Sequence, residues 1–194
     1  MWRHTKIAVK LAIVTTLLLG VVYPLTITGL AQLLFPKQAN GSLVERNGRL
    51  IGSVLIGQQF TRPEYFHPRP SAAGDGYDAT ASGGSNLGPT SRKLAERVSA
   101  EAGRLAREDP GLHPDHIPAD MITSSASGLD PDISLANAYA QVARIAKARG
   151  MSQDQIRRII KSNRTGRQFG LLGEPRVNVL RLNLALDVRG RAGP

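Results

Sequence analysis

Residues 11 to 36 read LAIVTTLLLGVVYPLTITGLAQLLFP, a run of 26 residues without one charged side chain. As a helix rising about 1.5 Å per residue it reaches roughly 39 Å, more than the roughly 30 Å of a bilayer's hydrocarbon core. A core helix of a soluble domain seldom runs so far without a polar face. A cleaved signal peptide is the stronger competitor, since Arg3, Lys6 and Lys10 form a basic leader and Gly29-Leu30-Ala31 offers a cleavage site. Against it, the apolar run is too long for a signal core and resumes at Leu33, Leu34 and Phe35. The stretch reads as an uncleaved membrane anchor.

Arg3, Lys6 and Lys10 precede the span, so the positive-inside rule places residues 1–10 in the cytoplasm and residues 37–194 outside. Pro24 removes a donor within the span and favours a kink. Gly20 and Gly29, with Thr15, Thr16, Thr26, Thr28 and Gln32, are the residue types through which membrane helices pack on one another. A helix that merely tethers its cargo remains the alternative.

The 158 residues after the anchor suit one domain with one core. No cysteine is present, which excludes a disulfide framework and thiolate chemistry. The net charge of +10 is uneven, because residues 140–194 carry 12 basic against 3 acidic side chains. Such a patch suits nucleic acid, acidic lipid or an acidic protein surface, and an exterior location argues against nucleic acid.

Asn47-Gly48 between two β-prone runs predicts a hairpin just beyond the membrane. Residues 58–92 form a long stretch rich in Gly, Pro and Ser, either a scaffold loop pinned by Phe60, Tyr65, Phe66 and Tyr77 or a partner-contact loop. Within it, GGSNLGPT at 83–90 fails as a phosphate loop because Pro89 stands where the lysine is needed. Positive-φ turns and close backbone approach explain Gly83 and Gly84 without a ligand.

Leu94, Val98, Ala102 and Leu105 predict an amphipathic helix over 91–108, stopped by Pro110-Gly111. His113, Asp115, His116 and Asp120 admit a metal reading, but no third histidine lies near and a solvated loop is preferred. Asp130 as N-cap with Pro131 at the first helical position predicts a second helix ending at Gly150, with Leu135, Tyr139, Val142 and Ala146 buried. Ser152 and Gln155 spell a capping box for a third. Leu182, Leu184, Leu186 and Val188 alternate with Asn183, Ala185 and Asp187, the period of a strand. The expected architecture is α+β: one membrane helix, then a single soluble domain with a hairpin, two to three helices and a C-terminal strand.

Taken together, GSVLIGQQF at 52–60, YFHPRPSA at 65–72, ASGGSNLGPTS at 81–91, SASGLDPDIS at 125–134 and LGEPRVNVLRLNLALD at 172–187 resemble the family of the C subunit of the bacterial Kdp potassium-transporting ATPase. The resemblance covers nearly the whole chain, anchor included. It implies residence in the bacterial inner membrane beside a channel-like A subunit, a P-type B subunit and a small F subunit, amid membrane lipid. It further implies an assembly role and that of a catalytic chaperone raising the B subunit's affinity for ATP. The chain has no Asp-Lys-Thr-Gly phosphorylation motif, so no catalytic residue, metal site or tightly bound cofactor is expected. On the resemblance alone ATP is the associated nucleotide, with Gly83, Gly84 and Gln141 as candidate contacts, although an exterior domain and a cytoplasmic nucleotide conflict. Candidate subunit contacts are Gly20, Pro24, Gly29, Tyr65, Phe66 and Asn86. An independent membrane-tethered module that binds potassium or a protein partner is the alternative function.

Overall fold

The computed structural model describes residues 1–109, 112 and 116–190. The helix stop at Pro110-Gly111, and His113 and Asp115 of the metal reading, lie outside the described residues. Two compact units result, residues 1–53 and the chain from Val54 onward.

The first unit begins with one continuous helix of 33 residues, Trp2–Leu34. It comprises α1 (Trp2–Leu17), a π-helical turn (Leu18–Val22) and α2 (Tyr23–Leu34). Pro24 cannot donate to the turn before it, and the wider π turn ends at Val22, two residues ahead of it, so the irregularity has an identifiable cause. None of these three segments has a buried residue, leaving the apolar surface to lipid or to other helices. Thr15 and Thr26 donate to the carbonyls of Leu11 and Val22, both at 2.8 Å, so these hydroxyls are satisfied inside the helix. Phe35 breaks the helix, the short α3 (Pro36–Ala39) follows, and the side-chain amides of Gln32 and Asn40 pair across the break. The expected hairpin is present as β1 (Leu43–Arg46) and β2 (Arg49–Ser53), antiparallel with a bulge at Val44/Glu45. Asn47 and Gly48 form its turn at φ 53° and 73°.

The second unit has the expected α+β character. Its sheet is antiparallel in the order β3 (Asp132–Ser134), β5 (Arg176–Asn178), β4 (Arg164–Thr165). Around it lie α4 (Arg92–Glu108), α5 (Ala119–Ile122), α6 (Leu135–Ala140), α7 (Val142–Arg149), α8 (Gln153–Ser162) and α9 (Val179–Gly190). The core unites Phe66, Ile133, Ile145, Ile156, Ile159, Ile160, Val177, Leu182 and Leu186, all at most 1% exposed.

Three local expectations change. Residues 180–188 are helix, not strand, and the strand precedes them at Arg176–Asn178. The buried positions Val179, Leu180, Leu182, Asn183 and Leu186 gather on one broad helical face, whereas on a strand Val179 and Asn183 would point away from the three leucines. Asp130 caps no helix: its carboxylate accepts from the Asp132 amide at 3.0 Å, and Asp132–Ser134 joins the sheet instead. Ser134 is the cap, accepting from the Asn137 amide, and Tyr139 is 43% exposed at the edge of the face that buries Ala138, Val142 and Ala146. The capping box of Ser152 and Gln155 forms as expected, and Gly150 closes α7 in the left-handed region at φ 63°.

Candidate functional site

The extended segment from Phe60 to Ala73 is a strap without regular secondary structure, crossed by three prolines that remove donors. Its backbone polar groups need partners in the interior, and two side-chain amides supply them. Asn183, 2% exposed on α9, accepts from the Phe66 amide at 2.8 Å and donates to the Phe66 carbonyl at 3.0 Å. Gln141, 3% exposed between α6 and α7, does the same for His67 at 2.8 and 3.0 Å. Two consecutive residues are thus gripped, from α9 and from the α6–α7 junction, as a neighbouring strand would grip them. Phe66, with no exposed surface, is driven between them into the core.

Ionic contacts pin the flanks. Arg149 donates to the Glu64 carbonyl at 2.6 Å, pairs with Asp187 at 2.9 Å and lies 4.9 Å from the Tyr65 ring centroid. The Tyr65 hydroxyl donates to Asp187 at 3.3 Å, and burial with that carboxylate raises its pKa. Arg144 donates to the carbonyls of Pro63 and Tyr65 and to Gln141 Oε1. Arg69 pairs with Asp130 at 3.1 Å, and burial pushes the Tyr77 hydroxyl, which donates to the Arg69 carbonyl, up to about 12.

The candidate nucleotide residues do not converge. Gln141 lines a cleft of about 940 Å³ between the strap, α4 and α6–α7, whereas Gly83 and Gly84 are not among its walls. The Gln141 amide is fully occupied, its nitrogen donating to His67 and Asn137 and its oxygen accepting from His67 and Arg144. The Gly/Ser loop instead packs on the loop at 125–129. Gly83 donates to the Ser127 carbonyl at 2.9 Å, and a Cβ on Gly84 would stand 2.8 Å from the Ala126 carbonyl oxygen. Close approach, as expected, holds the loop, but the positive φ lies at Asn86 (50°) and at neither glycine. Among the described residues no three His, Asp or Glu gather as a metal site. Asp120 of the metal reading accepts from Ser134 and Asn137 and so fixes the start of α6.

Tyr65 and Phe66 therefore belong to the strap and Asn86 to the Gly/Ser loop, while Gly20, Pro24 and Gly29 lie on the membrane helix. The residues that sequence reasoning missed are Asn183, Arg144, Arg149 and Asp187. The one available signal was a polar residue, Asn183, amid the leucines of 180–186.

His67 tests the cleft. Its Nε2 lies 3.0 Å from the Arg62 carbonyl and so carries the proton, and desolvation together with the Arg144 charge lowers its pKa below 6.5. Below the ordinary value the unfolded chain takes up a proton that the folded domain resists. The stability contribution is complete above that value and declines as pH falls toward the lowered one. Urea midpoints should drop between about pH 7.5 and about pH 5.5, and less steeply in His67→Gln; equal slopes would mean that the ring is not desolvated.

The family model described as KdpC, the K+-transporting ATPase, c chain, matches residues 5–188. A potassium-transporting ATPase KdpC subunit from Koribacter versatilis is 58% identical over 187 residues, covering 96% of this chain and 95% of the relative. The subunit of the same name from Myxococcus xanthus is 58% identical over 183 residues, covering 94% and 86%. That of Mycobacterium tuberculosis is 54% identical over 192 residues, covering 96% and 99%. With a match that runs from the membrane helix into α9, and with 86–99% of each of these relatives covered, the chain belongs to the KdpC family.

Proposed function

We propose that the chain is the non-catalytic accessory subunit of a potassium-transporting P-type ATPase, and that it assembles with a channel-like A subunit, a P-type B subunit and a small F subunit. The match over residues 5–188 carries this reading, because it includes both the anchor and the domain. On this reading the membrane helix packs through the faces holding Gly20, Pro24 and Gly29, and the strap with Tyr65 and Phe66 and the loop with Asn86 form a rigid docking body. The subunit supports assembly and raises the B subunit's affinity for ATP through subunit contacts. Gly83, Gly84 and Gln141 hold the domain's shape and touch no nucleotide. A committed amide and a loop without a lysine leave little to bind three phosphate groups.

Two measurements test this. Isothermal titration of ATP into the full chain in mild detergent should give no saturable binding. Stoichiometric binding abolished by Gly84→Val, in protein that still melts cooperatively, would restore the loop as a nucleotide site. A reporter fused after Pro194 should be active only outside the cytoplasm, as expected from Arg3, Lys6 and Lys10. Cytoplasmic activity would reverse the orientation.

A further inference from the structure

Between β4 and β5 the chain projects a short hairpin loop, Arg167 to Glu174, whose tip is apolar and exposed. Phe169, Leu171 and Leu172 are 87%, 78% and 60% exposed. The loop is nevertheless built. Gln168 and Leu172 exchange backbone hydrogen bonds at 2.8 and 2.9 Å, Gly170 donates to Arg167 and Leu171 to Gln168, both at 3.1 Å. The Arg167 guanidinium closes the base on both oxygens of Glu174 at 2.8 Å. Much of its backbone is thus paired internally and can be covered without stranding those polar groups.

Phe169 carries the inference. It lies at φ 54°, a backbone region costly for an aromatic residue and natural for glycine or asparagine. Strain of this kind is usual where a side chain must be aimed. Here the side chain adds almost nothing to its own core, so the chain alone would be better served by asparagine. Around the tip stand Arg164 on β4, Arg167 at the base, paired with Glu174, and Arg176 on β5, paired with Asp132 at 2.7 Å, so that three cations face two carboxylates. An apolar tip whose surroundings carry one excess positive charge, beside Arg164, fits an apolar socket with a carboxylate at its edge.

We propose that this loop is a docking finger that seats Phe169 and Leu171 in such a socket on another protein subunit of the transport complex. The proposal rests on the accessory-subunit reading. A shape-specific protein socket, rather than a lipid surface, accounts for the strained and internally bonded tip, since a bilayer accepts apolar side chains in any backbone conformation and needs no aimed ring. Aromatic and arginine side chains on a rigid support are also the usual anchors of protein interfaces.

The test uses the full chain purified with its complex. In Phe169→Asn the thermal midpoint of the chain alone should hold or rise, because the strain is relieved, while retention in the complex weakens about tenfold. A merely structural Phe169 would instead lower the midpoint. With a photo-reactive benzoylphenylalanine at position 169, irradiation of the assembled complex should give a covalent adduct to an identified subunit of that complex. Adducts to lipid only, or full retention of both Phe169→Asn and Leu171→Asp, would overturn the finger. If the unaltered chain itself fails to co-purify with the transport subunits, the accessory-subunit reading falls first, and the two failures are told apart.

Discussion

Gly128→Ala should cost the domain about 4 kcal/mol, the sum of roughly 1–3 for a non-glycine residue in the left-handed region and a similar amount for overpacking. Gly128 sits at φ 68°, and a Cβ there would stand 2.6 Å from the Ala73 nitrogen and 2.6 Å from the Gly83 carbonyl oxygen. Both neighbours are backbone and cannot swing aside. Ala73 ends the strap and Gly83 opens the Gly/Ser loop, so one methyl group would force apart the three segments that meet at this point. Ser71, which donates to the Gly128 carbonyl at 2.6 Å and accepts from the Tyr77 amide, would lose its position as well. Gly150→Ala is the control, with φ 63° but open space around its Cβ, and should cost only about 1 kcal/mol. Urea unfolding of the full chain in mild detergent compares them. Equal losses would show that the convergence of residues 73, 83 and 128 is not tight.

Asn183→Leu should be comparably damaging, because shape is conserved while the Phe66 amide and carbonyl are left buried without partners. At about 1–3 kcal/mol for each stranded group, a loss near 4 kcal/mol is expected. In a domain of this size that lowers the thermal midpoint by about 10 °C. Gln141→Met should cost less, since His67 is only partly buried and Arg144 still holds the Pro63 and Tyr65 carbonyls. If Asn183→Leu melts like the unaltered chain, the strap does not depend on its clamp. Asn183→Leu should also weaken retention in the complex, because a strap set free carries Tyr65 and Phe66 away with it, whereas Gln141→Met, with Arg144 still in place, should retain more of it.

The elements that sequence reasoning placed correctly are those fixed by local chemistry. A charge-free run of 26 residues makes a helix long enough to cross a membrane, Asn47-Gly48 can make a turn that few other pairs can, and Ser152 with Gln155 satisfies two helix-end donors within four residues. The misread element was ambiguous locally. In VLRLNLALDV the leucines at 180, 182, 184 and 186 alternate, yet a helix over the same residues gathers Val179, Leu182, Asn183 and Leu186 on one face. The core chose the helix because Asn183, idle on the outside of a strand, has a partner inside. That partner lies 117 residues away in the chain, and His67 lies 74 from Gln141. Separations of that size leave no periodic trace. Of the two reasons that the sequence offers for Gly83 and Gly84, the close approach is present where Gly84 meets Ala126, whereas the positive φ falls on Asn86. The motif resemblance identified the family where pattern alone ended at a tethered α+β domain, and the family match over residues 5–188 bears it out.

The most direct measurement is purification of the potassium-transporting complex from membranes with an affinity tag on this chain, followed by potassium-stimulated ATP hydrolysis with and without the chain. The tagged chain should bring the A, B and F subunits with it and hydrolyse nothing alone, and preparations lacking it should assemble poorly and need more ATP for half-maximal rate. A chain that elutes alone, beside a complex that assembles and hydrolyses ATP equally well without it, would contradict the role of an accessory subunit.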